Sequence, residues 1–254
     1  RRHPAARSFC TLLGGVTNRR MATAPAAGIA AVRAMLESQN PMAVALRERA
    51  PVLYLVTDRR DRSADWLCAH VEKCLDGGVD IVQLRDKTLP DAEFEALARR
   101  LLDLTRSRNV PLVINDRLDI AARIGAPSIH VGRKDGALSD IAARVPSDCF
   151  IGFSIDFDNR TAPVPPEAHL LGVGPVWPTK TKKDAAAPMG VEELRRVIQN
   201  SPGVPAVAIG GVNAGTIADA IRSGCVGACV VGELMDAEDP VATARKLKQI
   251  MRDA

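Results

Sequence analysis

From residue 52 onward the chain alternates between two kinds of apolar segment. Short, mostly apolar runs rich in Val, Ile, Leu and Ala fall at 52–58, 80–84, 111–115, 128–131, 149–154, 168–173, 206–209 and 226–231. Runs of that length and content read as strands covered on both sides. Between most of them lie stretches whose apolar residues recur every three or four positions, as Leu67, Val71 and Leu75 do in 64–75. That spacing predicts helices over 64–75, 91–107, 118–124, 138–145, 191–199, 214–223 and 240–251. Gly77-Gly78 ends the first of these and Pro90 precedes the second, as helix stops and starts require. A loop with Pro163, Pro165 and Pro166 replaces any full helix after the fifth strand. Eight apolar strands alternating with helices predict parallel βαβ units, and eight such units close into a single-domain TIM (β/α)8 barrel over 52–254. An open doubly wound sheet is the competing fold, but no GxGxxG turn follows the first strand.

Residues 1–36 have a different character. Arg1, Arg2, Arg7, Arg19, Arg20 and Arg33 occur before the first acid, Glu37. This is the composition of an organelle transit peptide. A disordered extension, or a true start at Met21 or Met42, explains it equally well. We therefore expect an irregular or targeting extension over 1–36 and a short lead-in helix over 37–51. The compartment is expected to be cytoplasmic, with plastid or mitochondrial targeting as the alternative.

Composition narrows the classes of function. Hydrophobic residues make up 46% and charged residues 25%, and the formal charge is +4. No basic stripe interleaved with aromatics argues for nucleic acid, and no apolar run reaches the roughly 20 residues of a membrane span. The six cysteines form no CxxC pair, so free thiols are expected rather than disulfides or zinc. Small-molecule substrates are the expected partners, and a homo-oligomer stays open.

Candidate chemistry collects at the strand ends, the working face of such a barrel. The sixth strand runs into 172–184, a stiff segment with two prolines, Thr179 and Thr181, and Lys180, Lys182 and Lys183. Hydroxyls and ammonium groups there suggest an anion site. After the second strand, alternation puts Gln83, Arg85 and Lys87 on one side, so an amide and two cations converge on the mouth. Asn115-Asp116-Arg117 follows the third strand and His130-Val131-Gly132 leads to Asp135 after the fourth. Asp116 and Asp135, on neighbouring strand ends, suit a shared Mg²⁺, which takes carboxylates together with phosphate oxygens and water. Asp116 also suits a helix N-cap. Ser154 ends the fifth strand; Gly210-Gly211 and Val231-Gly232 follow the seventh and eighth. Glycine turns at those last two positions form a phosphate cradle in many barrels. Two anion sites result: a cationic, metal-assisted one at strands two to four and a monophosphate cradle at strands six to eight.

With Gln83-Leu84-Arg85-Asp86-Lys87, Asn115-Asp116-Arg117, His130-Val131-Gly132, Gly174-Pro175, Thr179-Lys180-Thr181-Lys182 and Gly210-Gly211 in order, the chain resembles the thiamin phosphate synthase family over about residues 52–252. The resemblance implies a TIM-barrel transferase that joins hydroxymethylpyrimidine diphosphate to a thiazole phosphate and releases pyrophosphate. It implies that pyrophosphate departs first and that the thiazole nitrogen captures the resulting pyrimidine carbocation. Arg85, Lys87, Asn115, Ser154 and Lys182 would contact the diphosphate, with Arg85, Lys87, Ser154 and Lys182 as the catalytic set, and Gln83 would face the pyrimidine. Asp116 and Asp135 would hold Mg²⁺. Thr179, Thr181, Gly210, Gly211 and the Val231–Gly232 amides would hold the thiazole phosphate. The chain departs from the family pattern at Arg133, where Gln is usual; at Asp156, where His is usual; at Trp177; and at Gly232, where Ser is usual. A thiazole tautomerase-like barrel and a non-catalytic phosphate-binding barrel are the alternatives. The first uses a His near the fifth strand, and the second has no need of Lys87, Lys182 and both aspartates.

Overall fold

The computed structural model of the chain describes residues 26–181 and 186–254. Eight strands, β1 (Val52–Val56), β2 (Ile81–Leu84), β3 (Leu112–Asn115), β4 (Ser128–Val131), β5 (Phe150–Ile155), β6 (Leu170–Val173), β7 (Ala206–Ala208) and β8 (Gly227–Val230), form a closed barrel in sequence order. Every neighbouring pair is parallel, including β1 with β8, so no strand edge is left open. This is the predicted TIM barrel.

Helix α1 spans Ala26–Glu37 and α2 spans Pro41–Arg49, both ahead of β1. Around the barrel follow α3 (Ala64–Asp76), α4 (Asp91–Arg106), α5 (Leu118–Ile124), α6 (Leu138–Ala142), α7 (Gly190–Gln199), α8 (Ile217–Arg222), α9 (Gly232–Met235) and α10 (Pro240–Arg252). Three elements were not foreseen: α1, α9 and a 3-10 turn at Arg133–Asp135. Helix α8 begins at Ile217 rather than at 214, because side chains hold the preceding turn open. Asn213 Oδ1 accepts from the Gly215 amide at 2.8 Å and Thr216 Oγ1 from the Asn213 amide at 3.0 Å, contacts that compete with helix formation.

The apolar residues divide into two cores. One lies between the outer strand faces and the helices and includes Leu53, Leu67, Phe94, Leu101 and Leu247. The other fills the barrel with Tyr54, Ile81, Val113, Phe150, Leu170 and Val207. Val32 and Leu36 of α1 and Met42 and Leu46 of α2 belong to this inner core. The expectation of an irregular extension over 1–36 is therefore corrected for its last eleven residues. The i, i+4 pair Val32 and Leu36 gives α1 an apolar stripe, and both side chains are buried. Asn40 joins the two helices to the barrel: its Oδ1 accepts from the Met42 amide at 2.8 Å, and its Nδ2 donates to Pro127 O and Asp148 O. Residues 1–25, where the Arg-rich targeting composition lies, are outside the described residues.

The last helix is pinned to the first two strands by a buried ion pair. Lys248 Nζ donates to Asp80 Oδ2 at 2.5 Å and to Pro51 O at 3.2 Å, and Asp80 Oδ2 also accepts from the Leu53 amide at 2.8 Å. Cys68, Cys74, Cys149, Cys225 and Cys229 are free thiols, and burial pushes Cys74, Cys149 and Cys225 up to about 12. They are inert at neutral pH. No helix of the described residues is long and apolar enough to cross a membrane.

Candidate active site

The C-terminal strand ends open onto one cavity of about 770 Å³. Gln83, Arg85, Lys87, Asn115, Asp116 and Asp135 line one part of its wall. Ser154, Thr179, Thr181, Gly210, Gly211, Val231 and Gly232 line another part. Lys182 lies outside the described residues.

The cationic part is shaped by residues that do not face the cavity. Asp86 Oδ1 accepts from the Thr88 amide and hydroxyl and from the Leu89 amide, all within 2.9 Å, while its Oδ2 meets Arg59 Nε at 3.0 Å. Burial alone would raise this carboxyl; the Thr88, Leu89 and Arg59 bonds outweigh it and hold Asp86 below the usual range. Arg117 donates to Asp86 O and Leu89 O and stacks over Phe94 at 4.3 Å. Both belong to the recognised motifs, and both build the loop that presents Lys87. Thr57 Oγ1 accepts from the Arg85 amide at 3.0 Å, fixing the backbone there. Among the described residues no carboxylate lies within salt-bridge reach of the Arg85 guanidinium. It is free to pair with an anion. Gln83 is buried, and its Nε2 donates to Tyr54 OH at 2.8 Å.

Asp116 does not cap helix α5, whose N-cap is Arg117 without a side-chain bond. Instead its Oδ1 accepts from Asn115 Nδ2 at 2.8 Å and its Oδ2 meets Lys87 Nζ. It does so at a φ of +62°, an unfavourable backbone state for a residue with a side chain. Asp135 Oδ2 accepts from the Gly132 amide at 2.7 Å. Burial pushes the Asp135 carboxyl up, and the facing Asp116 carboxylate raises it further. Lys87, which meets Asp116, draws the Asp135 carboxyl back down without outweighing its burial.

The opposite part of the wall is built by two loops that zip together. The Val176 amide donates to Ile209 O at 2.9 Å and the Trp177 amide to Gly210 O at 3.0 Å. Gly210 and Gly211 have φ of +87° and +69°, and a Cβ on either would fall within 2.6 Å of Pro175 or Trp177. Only glycine fits there. Thr179 Oγ1 accepts from the Thr181 amide at 3.3 Å, and Thr181 faces Gly232. The Asn213 and Ala214 amides, at the predicted helix start, are occupied by Thr216 Oγ1 and Glu233 Oε2. What lines the cavity here is Gly210–Gly211 and Val231–Gly232, the latter at the start of the short helix α9.

Two of the sequence departures line the cavity and also tie its wall together. Asp156 Oδ1 accepts from the Asp158 and Asn159 amides and shapes the turn after β5, while Arg133 pairs with Asp158 at 3.2 Å. One cavity residue the sequence left without a role is His130. Its Nε2 lies 2.9 Å from Ser154 Oγ, its Nδ1 is enclosed without a partner among the described residues, and burial holds the ring down to about 4. Strand alternation with Ser128 could have placed it inside the barrel. Tyr54, the partner of Gln83, carried no such signal.

The family model described as thiamine monophosphate synthase matches residues 53–234. A thiamine-phosphate synthase of Albidiferax ferrireducens is 38% identical over 81% of this chain and 94% of its own length. One from Chloroflexus aurantiacus is 38% identical over 78% of this chain and 92% of its own length. Among solved structures, the thiamine phosphate pyrophosphorylase of Pyrococcus furiosus superposes with a TM-score of 0.71 at 28% identity, covering 80% of this chain and 96% of that one. The 3-hexulose-6-phosphate synthase of Salmonella typhimurium, at 16% identity and a TM-score of 0.63, shares the fold. A barrel with these motifs, matched over most of its length, belongs to the thiamine-phosphate synthase family and is an enzyme, a transferase of the pyrophosphorylase type.

Proposed function

We propose that the cavity joins 4-amino-2-methyl-5-hydroxymethylpyrimidine diphosphate to a hydroxyethylthiazole or carboxythiazole phosphate, giving thiamin phosphate and pyrophosphate. The observation that carries this is one cavity with a guanidinium that has no carboxylate partner among the described residues and a converging carboxylate pair on one part of its wall, and glycine turns on the other. Arg85, Lys87, Asn115 and Ser154 bind the diphosphate, and Lys182 joins them from the adjoining segment. Gln83, oriented by Tyr54, faces the pyrimidine. Thr179, Thr181, Gly210, Gly211 and the Val231–Gly232 amides hold the thiazole phosphate.

Asp116 and Asp135 suit Mg²⁺: both are hard oxygen donors, and their mutual repulsion falls when a divalent cation sits between them. Among the described residues no group of three or more potential His, Cys, Asp or Glu ligands occurs, so phosphate oxygens and water would complete the coordination. When bound, the metal supplies positive charge that stabilises the leaving diphosphate. The chain's own cations do the same work around it, and the residues here need provide no nucleophile. The tautomerase alternative finds no support at β5, where Asp156 is engaged in its turn.

The test is turnover of the two substrates with and without EDTA, following thiamin phosphate and pyrophosphate together. Equimolar, metal-dependent appearance of both is expected. Binding of the thiazole phosphate without turnover would overturn the synthase assignment.

A further inference from the structure

Two strand glycines and one histidine form a device that the residue assignments above leave unused. Glycine inside a strand weakens it, and a buried polar atom without a partner is costly. Here both occur at one spot. His130 on β4 is paired in register with Gly152 on β5, and Ser154 on β5 with Gly172 on β6. A Cβ on Gly152 would sit 2.4 Å from His130 Nδ1, and one on Gly172 would sit 2.9 Å from Cε1. The missing side chains are thus the slot in which the imidazole lies, reaching across β5 to Ser154 Oγ.

The orphaned nitrogen fixes the proton. A protonated Nδ1 would bury an N–H donor with no acceptor, and an imidazolium would do the same and bury a charge as well. The form that avoids both carries its proton on Nε2 and leaves a bare lone pair at Nδ1. Nε2–H then donates to Ser154 Oγ, which occupies that oxygen as an acceptor and leaves the serine hydrogen to point into the cavity. A base at Nε2 would do the reverse and turn the serine towards nucleophilic chemistry. The backbone of the same residue orients a second group: His130 O accepts from Asn115 Nδ2 at 3.1 Å and from the Asp116 amide at 3.0 Å.

We infer that His130 is a positioning residue that sets Ser154 as a hydrogen-bond donor to the departing diphosphate, and that Gly152 and Gly172 exist to seat it. The inference rests on the proposed reaction for the identity of the anion. The direction of the hydrogen bond does not depend on it.

Two measurements test this. ¹⁵N-histidine NMR of the wild-type chain at pH 7, with His130 assigned by its loss in His130→Gln, reads the tautomer without any turnover. A neutral ring protonated at Nε2 is expected, and protonation at Nδ1 or at both nitrogens overturns the inference. Steady-state kinetics of His130→Leu, Ser154→Ala and the double variant then read the coupling. Each single change is expected to lower kcat by at least about tenfold, the double to match Ser154→Ala, and the KM for thiazole phosphate to stay within about twofold. His130→Gln, which keeps a donor near the Nε2 position, is expected to recover most of the loss. Multiplicative losses in the double variant, or a Gln variant as poor as Leu, would show that His130 does not act through Ser154. A wild-type chain that turns over neither substrate would overturn the reaction, and the nitrogen shifts would still decide the donor direction.

Discussion

Serine would fit at position 232 without disturbing its neighbours. A Cβ there meets nothing nearer than Thr181 Oγ1 at 3.9 Å and Asp236 Oδ2 at 4.0 Å. Gly232→Ser is therefore expected to add one hydroxyl to the cradle, lowering the KM for thiazole phosphate by about 3- to 10-fold, the worth of one neutral hydrogen bond, with kcat unchanged. Initial-rate kinetics check it, and a raised KM would mean that the phosphate does not lie against Gly232. Residue roles were only partly legible in the sequence. Lys87 and Asp86 are consecutive in one motif, yet one faces the cavity and the other ties down its loop. Strand alternation separates such neighbours only while the strand lasts, and β2 ends at Leu84. The partnership of His130 with Ser154 spans 24 positions and depends on two glycines that read locally as mere gaps.

Elements were more legible, because each strand is a short, mostly apolar run and each long helix carries its stripe. All eight predicted strands are present, with ends shifted by a residue or two. What was lost were the ends decided by side chains, as at Asn213 and Thr216, and elements of barely one helical turn, such as Gly232–Met235. Helix α1 was missed for another reason: its Arg- and Ala-rich surroundings resemble a leader, and only the barrel floor shows what Val32 and Leu36 bury against. Leu36→Ala is expected to cost about 2–4 kcal/mol in urea unfolding, as for a buried leucine anywhere in the core. A dispensable extension would show less than about 0.5 kcal/mol.

For the whole molecule, closure depends on holding the last helix to the first strands. Lys248 and Asp80 are each about nine-tenths buried, so removing the lysine alone strands a carboxylate. Lys248→Met is expected to destabilise by about 3–5 kcal/mol at neutral pH. Burial already raises the Asp80 carboxyl, and Lys248 holds that rise in check. Without the lysine the folded value climbs further above the unfolded one. The folded variant then binds the proton more tightly, so its loss of stability is smallest in acid and grows as pH rises through the folded value. Unfolding curves at several pH values read this slope, and a penalty independent of pH would mean that packing, not charge, dominates. The floor formed by α1 and α2 has a further consequence. With Met42 and Leu46 in the inner core, side chains plug the end of the barrel away from the strand-end mouth among the described residues. Two substrates must enter, and two products leave, by the same strand-end mouth. Where one substrate lies over the other in that mouth, the deeper one must arrive first, and product-inhibition patterns would read that order.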